Sequence, residues 1–299
     1  LITVEKSLLM KYKLKQIIKS NNFDIIHSHG ALCNIISYFK NVVNVSTVHS
    51  DYYRDYENSK LKELVLGRTN RKILKKFDAV IASDAISELL KKDNFKNVFL
   101  LNNGIEINTE FNKDRAEYLF EKKLDPIKTY IGICQRLEKI KNIDLIIKAM
   151  EKIDAELLVA GDGSQMDNLK KTAGKNVHFI GWEKDTKSFF NAIDINVLTS
   201  DFEGGIAYGI LEGGIFKKPA ISTNAGCMYK LIINNETGYL IERNDVNALV
   251  EKANILIKDT GLRNKLGQAL YEKIKNEYSI ESMAQTQLKI YKKILENAQ

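Results

Sequence analysis

Cysteine is scarce in this sequence, and its few copies are scattered. The 299 residues include three cysteines, at Cys33, Cys134 and Cys227, and no two of them form a Cys-x-x-Cys pair. This spacing argues against a disulfide framework and against a cysteine-rich zinc site. It is also the cysteine usage expected of a protein in the reducing cytoplasm.

Long apolar runs are absent as well. No uninterrupted hydrophobic stretch approaches the roughly 18 residues of a membrane-spanning helix. The chain begins at Leu1 with neither an initiator methionine nor the layout of a signal peptide, so we interpret it as a fragment whose true start lies upstream. Because 299 residues exceed the usual span of one domain, two domains are expected.

The histidines are few and lack the partners of a metal site. His27, His29 and His49 stand at the ends of short apolar runs, whereas His178 lies inside one. A bound metal would need a convergent acidic or thiolate ligand, and the sequence shows none. We therefore expect no metal ion, and we expect His178 to be structural.

Acidic residues are outnumbered, and the basic excess is concentrated in the first third of the chain. Lysine and arginine number 45 against 38 acids, a formal charge of +7 that favours anionic partners. The basic cluster is either a solvated helix face or a patch resting on an anionic membrane leaflet. Aromatic residues do not interleave with it as in RNA-binding sequences, so no nucleic acid is expected. Its members are Lys11, Lys13, Lys15, Lys19, Arg68, Arg71, Lys72, Lys75 and Lys76.

Strand-like and helix-like segments alternate along most of the chain. Short β-branched runs such as NVVNVSTVHS are followed by amphipathic stretches. This alternation predicts parallel sheets covered by helices on both faces. It breaks at residues 104–128, a polar stretch containing Pro126, which we interpret as a linker between two α/β domains.

The segment SDFEGGIAYGILEGG, residues 200–214, combines two acids with a glycine-rich turn. It follows a predicted strand and leads into a helix, whose free amide groups form an anion site. Gly204 and Gly205 would let the backbone approach a ligand closely. Glu203 would then accept hydrogen bonds from sugar or ribose hydroxyls. The alternative is a tight turn with solvated acids.

Two cations follow the first strand of the second domain. Arg136 and Lys141 lie in the loop ahead of a clear amphipathic helix. A guanidinium can bind a phosphate through two hydrogen bonds and an ammonium acts as a point charge, so the pair suits a diphosphate. The alternative is a loop with ordinary surface charges.

Several segments, in order, resemble the family 4 glycosyltransferases. They include DIIHSHG and STVHSD in the first part, and QRLEKIKNIDLIIKAM, LLVAGDGSQMDNLKK and TGYLIERNDVNALVEKA in the second. The resemblance implies an α/β fold of the GT-B type, with two Rossmann-like domains facing across a cleft. It also implies transfer of a sugar from a nucleoside diphosphate donor with retention of anomeric configuration, and no cofactor or metal.

The resemblance also implies roles for particular residues. Arg136 and Lys141 would hold the donor diphosphate and stabilise the charge of the leaving group. Glu203 would contact the transferred sugar, Glu212 would hold the ribose hydroxyls, and His49 would approach the reaction centre from the first domain. Backbone amides for donor binding would come from Gly204, Gly205 and Ile206.

This sequence departs from the family pattern in four places, one of which is the absence of a proline often found in the glycine-rich segment, with Ala207 nearby. Eight residues rather than seven separate Glu203 from Glu212, and an insertion within the helix would turn Glu212 by about 100°. The segment AGCMYK has Cys227 in place of a glycine and Lys230 where an acid is common. The family's first strand and glycine-rich loop are not in the sequence, so the first domain is expected to be truncated at its N-terminus.

The domain limits follow from the same resemblance. We expect an incomplete, acceptor-side domain in residues 1–115 and a nucleotide-sugar-binding domain in residues 116–280. We expect a helix in residues 281–299 to cross back to the first domain. The alternative is a helix on the surface of its own domain.

The expected function is a cytoplasmic glycosyltransferase that extends a surface or capsular glycan, or a glycolipid, near the inner leaflet. A noncatalytic or degenerate homologue that binds a sugar nucleotide is one alternative, supported by the departures above. An NAD-type enzyme is disfavoured, because neither AGDGSQ nor GGIAYG provides Gly-x-Gly-x-x-Gly between a first strand and its helix.

Overall fold

The structure is a computed structural model that describes residues 10–51, 53 and 59–298. Its backbone contacts divide the chain into two compact units. Unit 1 comprises Leu1–Asn102 and Ala284–Gln299, and unit 2 comprises Asn103–Met283. In sequence, unit 2 is therefore inserted into unit 1, with limits that differ from the predicted 115/116 and 280/281.

Unit 1, within its described residues, contains a four-stranded parallel sheet in the order β1-β2-β3-β4, in which each strand pairs with the next in sequence. Its elements are α1 Met10–Ser20, β1 Ile25–His29, α2 Ala31–Ser37, β2 Val43–Val48, α3 Lys60–Lys62, a π-helical turn Glu63–Gly67, α4 Arg68–Leu74, β3 Ala79–Ala82, α5 Asp84–Lys92 and β4 Val98–Leu100.

The last helix of the chain is part of the core of unit 1. Numbered α14 below, it spans Ile280–Ala298. Its residues Ile290 and Ile294 pack with Val45 of β2 and with Ala79 and Ile81 of β3. These side chains are buried or nearly so, and hydrophobic burial of this kind stabilises the unit.

Unit 2 contains, in the described chain, a six-stranded parallel sheet in the order β7-β6-β5-β8-β9-β10. Its elements are α6 Arg115–Glu121, β5 Tyr130–Cys134, a 3₁₀ turn Lys139–Lys141, α7 Asp144–Ala149, a 3₁₀ turn Met150–Lys152, β6 Glu156–Ala160, α8 Met166–Thr172, β7 Val177–Gly181, α9 Thr186–Ala192, β8 Ile195–Leu198, α10 Tyr208–Ile215, β9 Ala220–Thr223, α11 Met228–Leu231, β10 Gly238–Ile241, α12 Val246–Lys258 and α13 Thr260–Glu277.

Both faces of this sheet are covered. Alternate residues of β5 and β6 point to opposite faces, so Ile131 and Leu157 join one apolar cluster while Tyr130 and Leu158 join another. All four side chains are fully buried. The predicted parallel sheet with helices on both faces is therefore confirmed.

The linker prediction for residues 104–128 is wrong, because helix α6 lies within this stretch and packs on unit 2. Asp114 caps the helix by accepting a hydrogen bond from the Glu117 amide. Tyr118 and Leu119 are buried in the apolar cluster beneath it. Since the two buried residues are adjacent and the next residue, Phe120, is exposed, the helix has no apolar periodicity that would reveal it.

Candidate functional site

The sheet of unit 2 reverses its strand order between β5 and β8. From β5 the chain builds outward through β6 and β7, and it then returns to the other side of β5 to build β8, β9 and β10. Open parallel sheets bind ligands at such a switch point, outside the carboxyl ends of the strands. The loops that follow β5 and β8 are therefore the candidate site.

Hydrogen bonds tie these two loops together. The Thr199 hydroxyl donates to the Lys141 carbonyl oxygen at 3.1 Å, and the Gln135 amide group donates to the same oxygen at 3.3 Å. The Asp201 amide donates to the Ile140 carbonyl at 2.9 Å. The backbone of Lys141 is thus held from both loops, which fixes the origin of its side chain.

Lys141 and Glu203, two of the predicted site residues, form an ion pair in this place. The Lys141 Nζ donates to the Glu203 Oε1 at 2.5 Å, and the two side chains are only 14% and 13% exposed. A charge pair so far removed from water interacts more strongly than a surface pair. The carboxylate therefore neutralises the cation predicted to bind a diphosphate.

Arg136 lies in the same loop as Lys141, and its side chain is exposed. The pKa of Glu138 is lowered mainly by the hydrogen bonds that its carboxylate accepts from Ser164, and to a smaller extent by the charge of Arg136. An exposed guanidinium at the rim of the site is accessible to an incoming anion.

The glycine-rich turn precedes helix α10. Gly204, Gly205 and Ile206 lie between β8 and α10, and Ala207 occupies the N-cap without a side chain that could accept from the first-turn amides. An extra residue at Gly204 or Gly205 is therefore outside the helix, and it leaves the helical face that carries Glu212 unchanged.

Glu212 is positioned in the second turn of α10. It accepts a hydrogen bond from the Thr186 hydroxyl at 3.4 Å, and burial raises the pKa of its carboxyl group. Its charge also helps to raise the pKa of the Cys134 thiol to about 12, an effect due first to burial of that thiol. Glu212 is thus placed near the end of β5, with partners different from those of Glu203.

The sequence analysis missed Asn142, which also joins the two loops. Its backbone is left-handed, with φ 46° and ψ 47°. Its side-chain amide donates to Asp201 Oδ1 at 3.1 Å and to Asn244 Oδ1 at 2.8 Å. Asparagine is among the few residues that tolerate this conformation, so the Lys-Asn pair before a helix was the signal available in the sequence.

Two kinds of feature are absent from the described ranges. No group of three histidine, cysteine, aspartate or glutamate side chains there could hold a metal ion. No helix there has both the length and the hydropathy needed to span a membrane.

In unit 1, three histidines form a stack at the ends of β1 and β2. The rings of His27 and His29 are 4.6 Å apart and those of His29 and His49 are 5.2 Å apart. His29 Nδ1 and His49 Nε2 share a hydrogen bond of 2.8 Å. His27 contacts the Tyr291 hydroxyl of α14 at 2.5 Å and the Thr47 hydroxyl at 2.7 Å. The predicted residue His49 is thus oriented by a neighbour that the sequence analysis gave no role.

This stack should make unit 1 sensitive to acid. Burial, and after it the neighbouring His29 and His49, lower the pKa of His27 from 6.5 to about 4. Between these values an unfolded His27 takes up a proton and the folded one does not, so stability present above pH 6.5 is lost as the pH falls. Between pH about 7 and about 4.5, we expect the free energy of unfolding to fall by about 2 kcal/mol less in His27→Gln than in the unchanged protein. Urea denaturation at the two pH values measures both decreases. Equal acid sensitivity in both proteins would contradict the prediction.

Two family models match consecutive parts of the chain. The sequence model of the family described as Glycosyl transferases group 1 matches residues 114–273, and that of Glycosyltransferase Family 4 matches residues 3–109. The first match spans more than half of the chain and contains the whole candidate site of unit 2.

Individual relatives are similar over most of their length. N-acetyl-alpha-D-glucosaminyl L-malate synthase of Bacillus anthracis is 24% identical over 96% of this chain and 79% of its own. The UDP-Gal:alpha-D-GlcNAc-diphosphoundecaprenol alpha-1,3-galactosyltransferase of Escherichia coli is 26% identical over 94% of this chain and 77% of its own.

A solved structure has the same fold. That of Anabaena Alr3699/HepE in complex with UDP matches with a TM-score of 0.82 at 18% identity, covering 95% of this chain and 82% of the other. The predicted GT-B fold class, with two Rossmann-like α/β units, is thereby confirmed. With both family models matching in order, this chain belongs to the group 1, family 4 glycosyltransferases.

Proposed function

We propose that the protein transfers a sugar from a nucleoside diphosphate donor to a glycan or lipid-linked acceptor, with retention of anomeric configuration. The observation that carries the proposal is the buried Lys141–Glu203 pair at the switch point of the sheet. A cation held beyond the carboxyl ends of the strands can bind a diphosphate, and a carboxylate beside it can accept hydrogen bonds from the hydroxyls of a sugar. The Escherichia coli relative named above is a galactosyltransferase with a UDP-sugar and a lipid-linked sugar in its name.

The diphosphate would replace Glu203 as the partner of Lys141. Arg136 would move from solvent to the same phosphates, and the amides of Gly204, Gly205 and Ile206 would bind their oxygens. Charge that develops on the leaving group is then stabilised by two cations and the start of α10, so the proposed reaction needs no metal ion. Glu203, once released, would bind hydroxyls of the transferred sugar.

The proposed roles of Glu212 and His49 rest on different observations. A buried carboxyl group with a raised pKa, as found for Glu212, can bind ribose hydroxyls either as donor or as acceptor. The role of His49 at the reaction centre rests on the family resemblance. Its hydrogen bond to His29 would hold the ring in one orientation. The protein would act in the cytoplasm, close to the inner leaflet if its acceptor is lipid-linked.

Nucleotide binding can be measured directly, because Trp182 is the sole tryptophan of the chain. It follows β7, so it lies beyond the carboxyl ends of the strands, on the same side of the sheet as the site. Its side chain is 72% exposed. We expect one of UDP, GDP or ADP to change its fluorescence. Arg136→Ala should weaken that nucleotide roughly tenfold or more, through loss of a charge-assisted contact. The exposed residue Lys171, changed to alanine, is the control and should bind normally.

Turnover separates the enzyme from a noncatalytic binder. With the matching nucleotide sugar and a glycolipid acceptor, the protein should release nucleotide and form product. Glu203→Gln should retain nucleotide binding but lose transfer by roughly a hundredfold, because its proposed contact is to the reacting sugar. Nucleotide binding without any transfer would favour the noncatalytic alternative, and full activity of Glu203→Gln would remove the role of that residue.

A further inference from the structure

Unit 1 exposes large aliphatic side chains on one helical stretch. In the segment formed by α3 and the π-helical turn, Leu61 is 72% exposed, Leu64 52% and Val65 53%. Their spacing of three and four residues is that of one helix face. Scattered exposed leucines are ordinary, but neighbouring ones on one face indicate a surface that contacts something apolar.

The next turns along the same stretch are cationic. Arg68, Lys72 and Lys75 are exposed and continue the spacing of three or four residues. They border an open depression of about 500 Å³ between α4 and the end of α5. Its charged lining consists of five cations and one carboxylate: Arg68, Arg71, Lys72, Lys75, Lys92 and Asp93.

Arg71 provides an independent indication of an anion site. Its side chain is 17% exposed, paired through Nη2 with Glu63 at 2.5 Å and stacked over the Tyr53 ring at 4.7 Å. Its other terminal nitrogen, Nη1, is buried and has no hydrogen-bond partner among the described residues. One oxygen of the paired carboxylate, Glu63 Oε2, is likewise buried without a partner. A buried guanidinium nitrogen without an acceptor is costly, and because Arg71 lines the depression, turning its side chain toward a phosphate there would supply the acceptor.

We propose that this surface, defined by Leu61, Leu64, Val65, Arg68, Lys72 and Lys75, docks the protein on an anionic lipid bilayer. The aliphatic side chains would enter the boundary between headgroups and acyl chains, and the cations and Arg71 would bind lipid phosphates. A second copy of this chain fits less well, since a symmetric contact would place the same cations against each other. The docking surface extends the proposed function, because a lipid-linked acceptor is presented at such a bilayer.

The test is co-sedimentation with vesicles of phosphatidylcholine, with or without one third phosphatidylglycerol. We expect binding to the anionic vesicles alone, reversed by salt. The triple variant Arg68→Ser, Lys72→Ser, Lys75→Ser should bind them roughly a hundredfold more weakly, at about fivefold per lost charge. The control is a second triple variant, Lys148→Ser, Lys171→Ser, Lys175→Ser, at exposed positions of unit 2. It loses the same charge and should bind the anionic vesicles nearly as tightly as the unchanged protein does.

A second variant tests the apolar part. Leu61→Ser with Leu64→Ser keeps every charge and should weaken binding about tenfold or more, because it removes the inserted side chains. Circular dichroism melting confirms folding of each variant. The proposal is overturned if the protein does not bind anionic vesicles, or if both charge variants weaken binding equally. It is also overturned if the leucine variant dissociates a dimer in gel filtration without affecting vesicle binding.

Trp182 fluorescence with nucleotide, recorded on the same samples, distinguishes this surface from the proposed function. Nucleotide binding without vesicle binding contradicts the docking surface alone. Vesicle binding without nucleotide binding contradicts the proposed function alone. We expect both, with unchanged nucleotide affinity in every surface variant.

Discussion

Lys141→Met should lower the free energy of unfolding by about 3 kcal/mol and abolish sugar transfer. The stability loss follows because Glu203 would keep its charge in a place that is 13% exposed, with its cation removed. Transfer should fall at least a hundredfold, since the proposed site would lose a cation that faces the leaving diphosphate. Urea denaturation and a transfer assay on the same preparation measure the two effects.

The double variant Lys141→Met with Glu203→Gln separates them. Replacing the unpaired Glu203 carboxylate by a neutral amide should restore most of the lost stability, because burying an amide costs less free energy than burying an unpaired charge. Activity should stay low, since the cation is still missing. Lys148→Met, an exposed lysine on α7, is the control and should change stability by less than about 0.5 kcal/mol. A double variant as unstable as Lys141→Met would show that the loss of stability does not come from the unpaired Glu203 carboxylate.

Gly226→Ala should displace the glycine-rich turn of the proposed donor site. Gly226 has φ +59°, and a β-carbon there would lie 2.4 Å from the carbonyl oxygen of Glu203 and 2.9 Å from that of Gly205. Both neighbours are backbone atoms of the proposed donor-binding turn, so they must shift. We expect a loss of about 3 kcal/mol in unfolding free energy and transfer reduced at least tenfold by misplacement of the turn.

Gly181→Ala is the matched control for this prediction. Gly181 also has a positive φ, +78°, but a β-carbon there would have nothing within 4 Å. Its substitution should therefore cost only the backbone strain, about 1 kcal/mol. Urea denaturation and transfer assays are run on both variants. The difference between their losses is the effect of the close contact between the new β-carbon at position 226 and the turn. Equal losses in the two variants would mean that the turn adapts to a side chain at Gly226.

The sequence predicted the fold well because its signals are local. Each strand of unit 2 is a short run of apolar residues followed by polar ones, and each is flanked by helical periodicity. Helix α6 escaped detection for the opposite reason, since its burial rests on Tyr118 and Leu119 alone. Pattern analysis has little to detect when two adjacent residues hold a short helix on its sheet.

The residues of the candidate site could be named from the sequence, but their contacts could not. Lys141 and Glu203 are 62 positions apart, and they meet because β5 and β8 are neighbours in the sheet. Strand order of that kind is a long-range property that no local window contains. The same holds for the stack of His27, His29 and His49, where one pairing crosses from β1 to the end of β2.

The return of α14 to unit 1 sets the order in which the two units can be completed during synthesis. Unit 2 is continuous from Asn103 to Met283, and its two ends are joined where the Ile105 amide donates to the Tyr278 carbonyl. Unit 1 needs Ile290 and Ile294, which are synthesised after the whole of unit 2. The part of unit 1 that precedes unit 2 therefore cannot complete its core until unit 2 has been synthesised, and until then its apolar strands are exposed to aggregation.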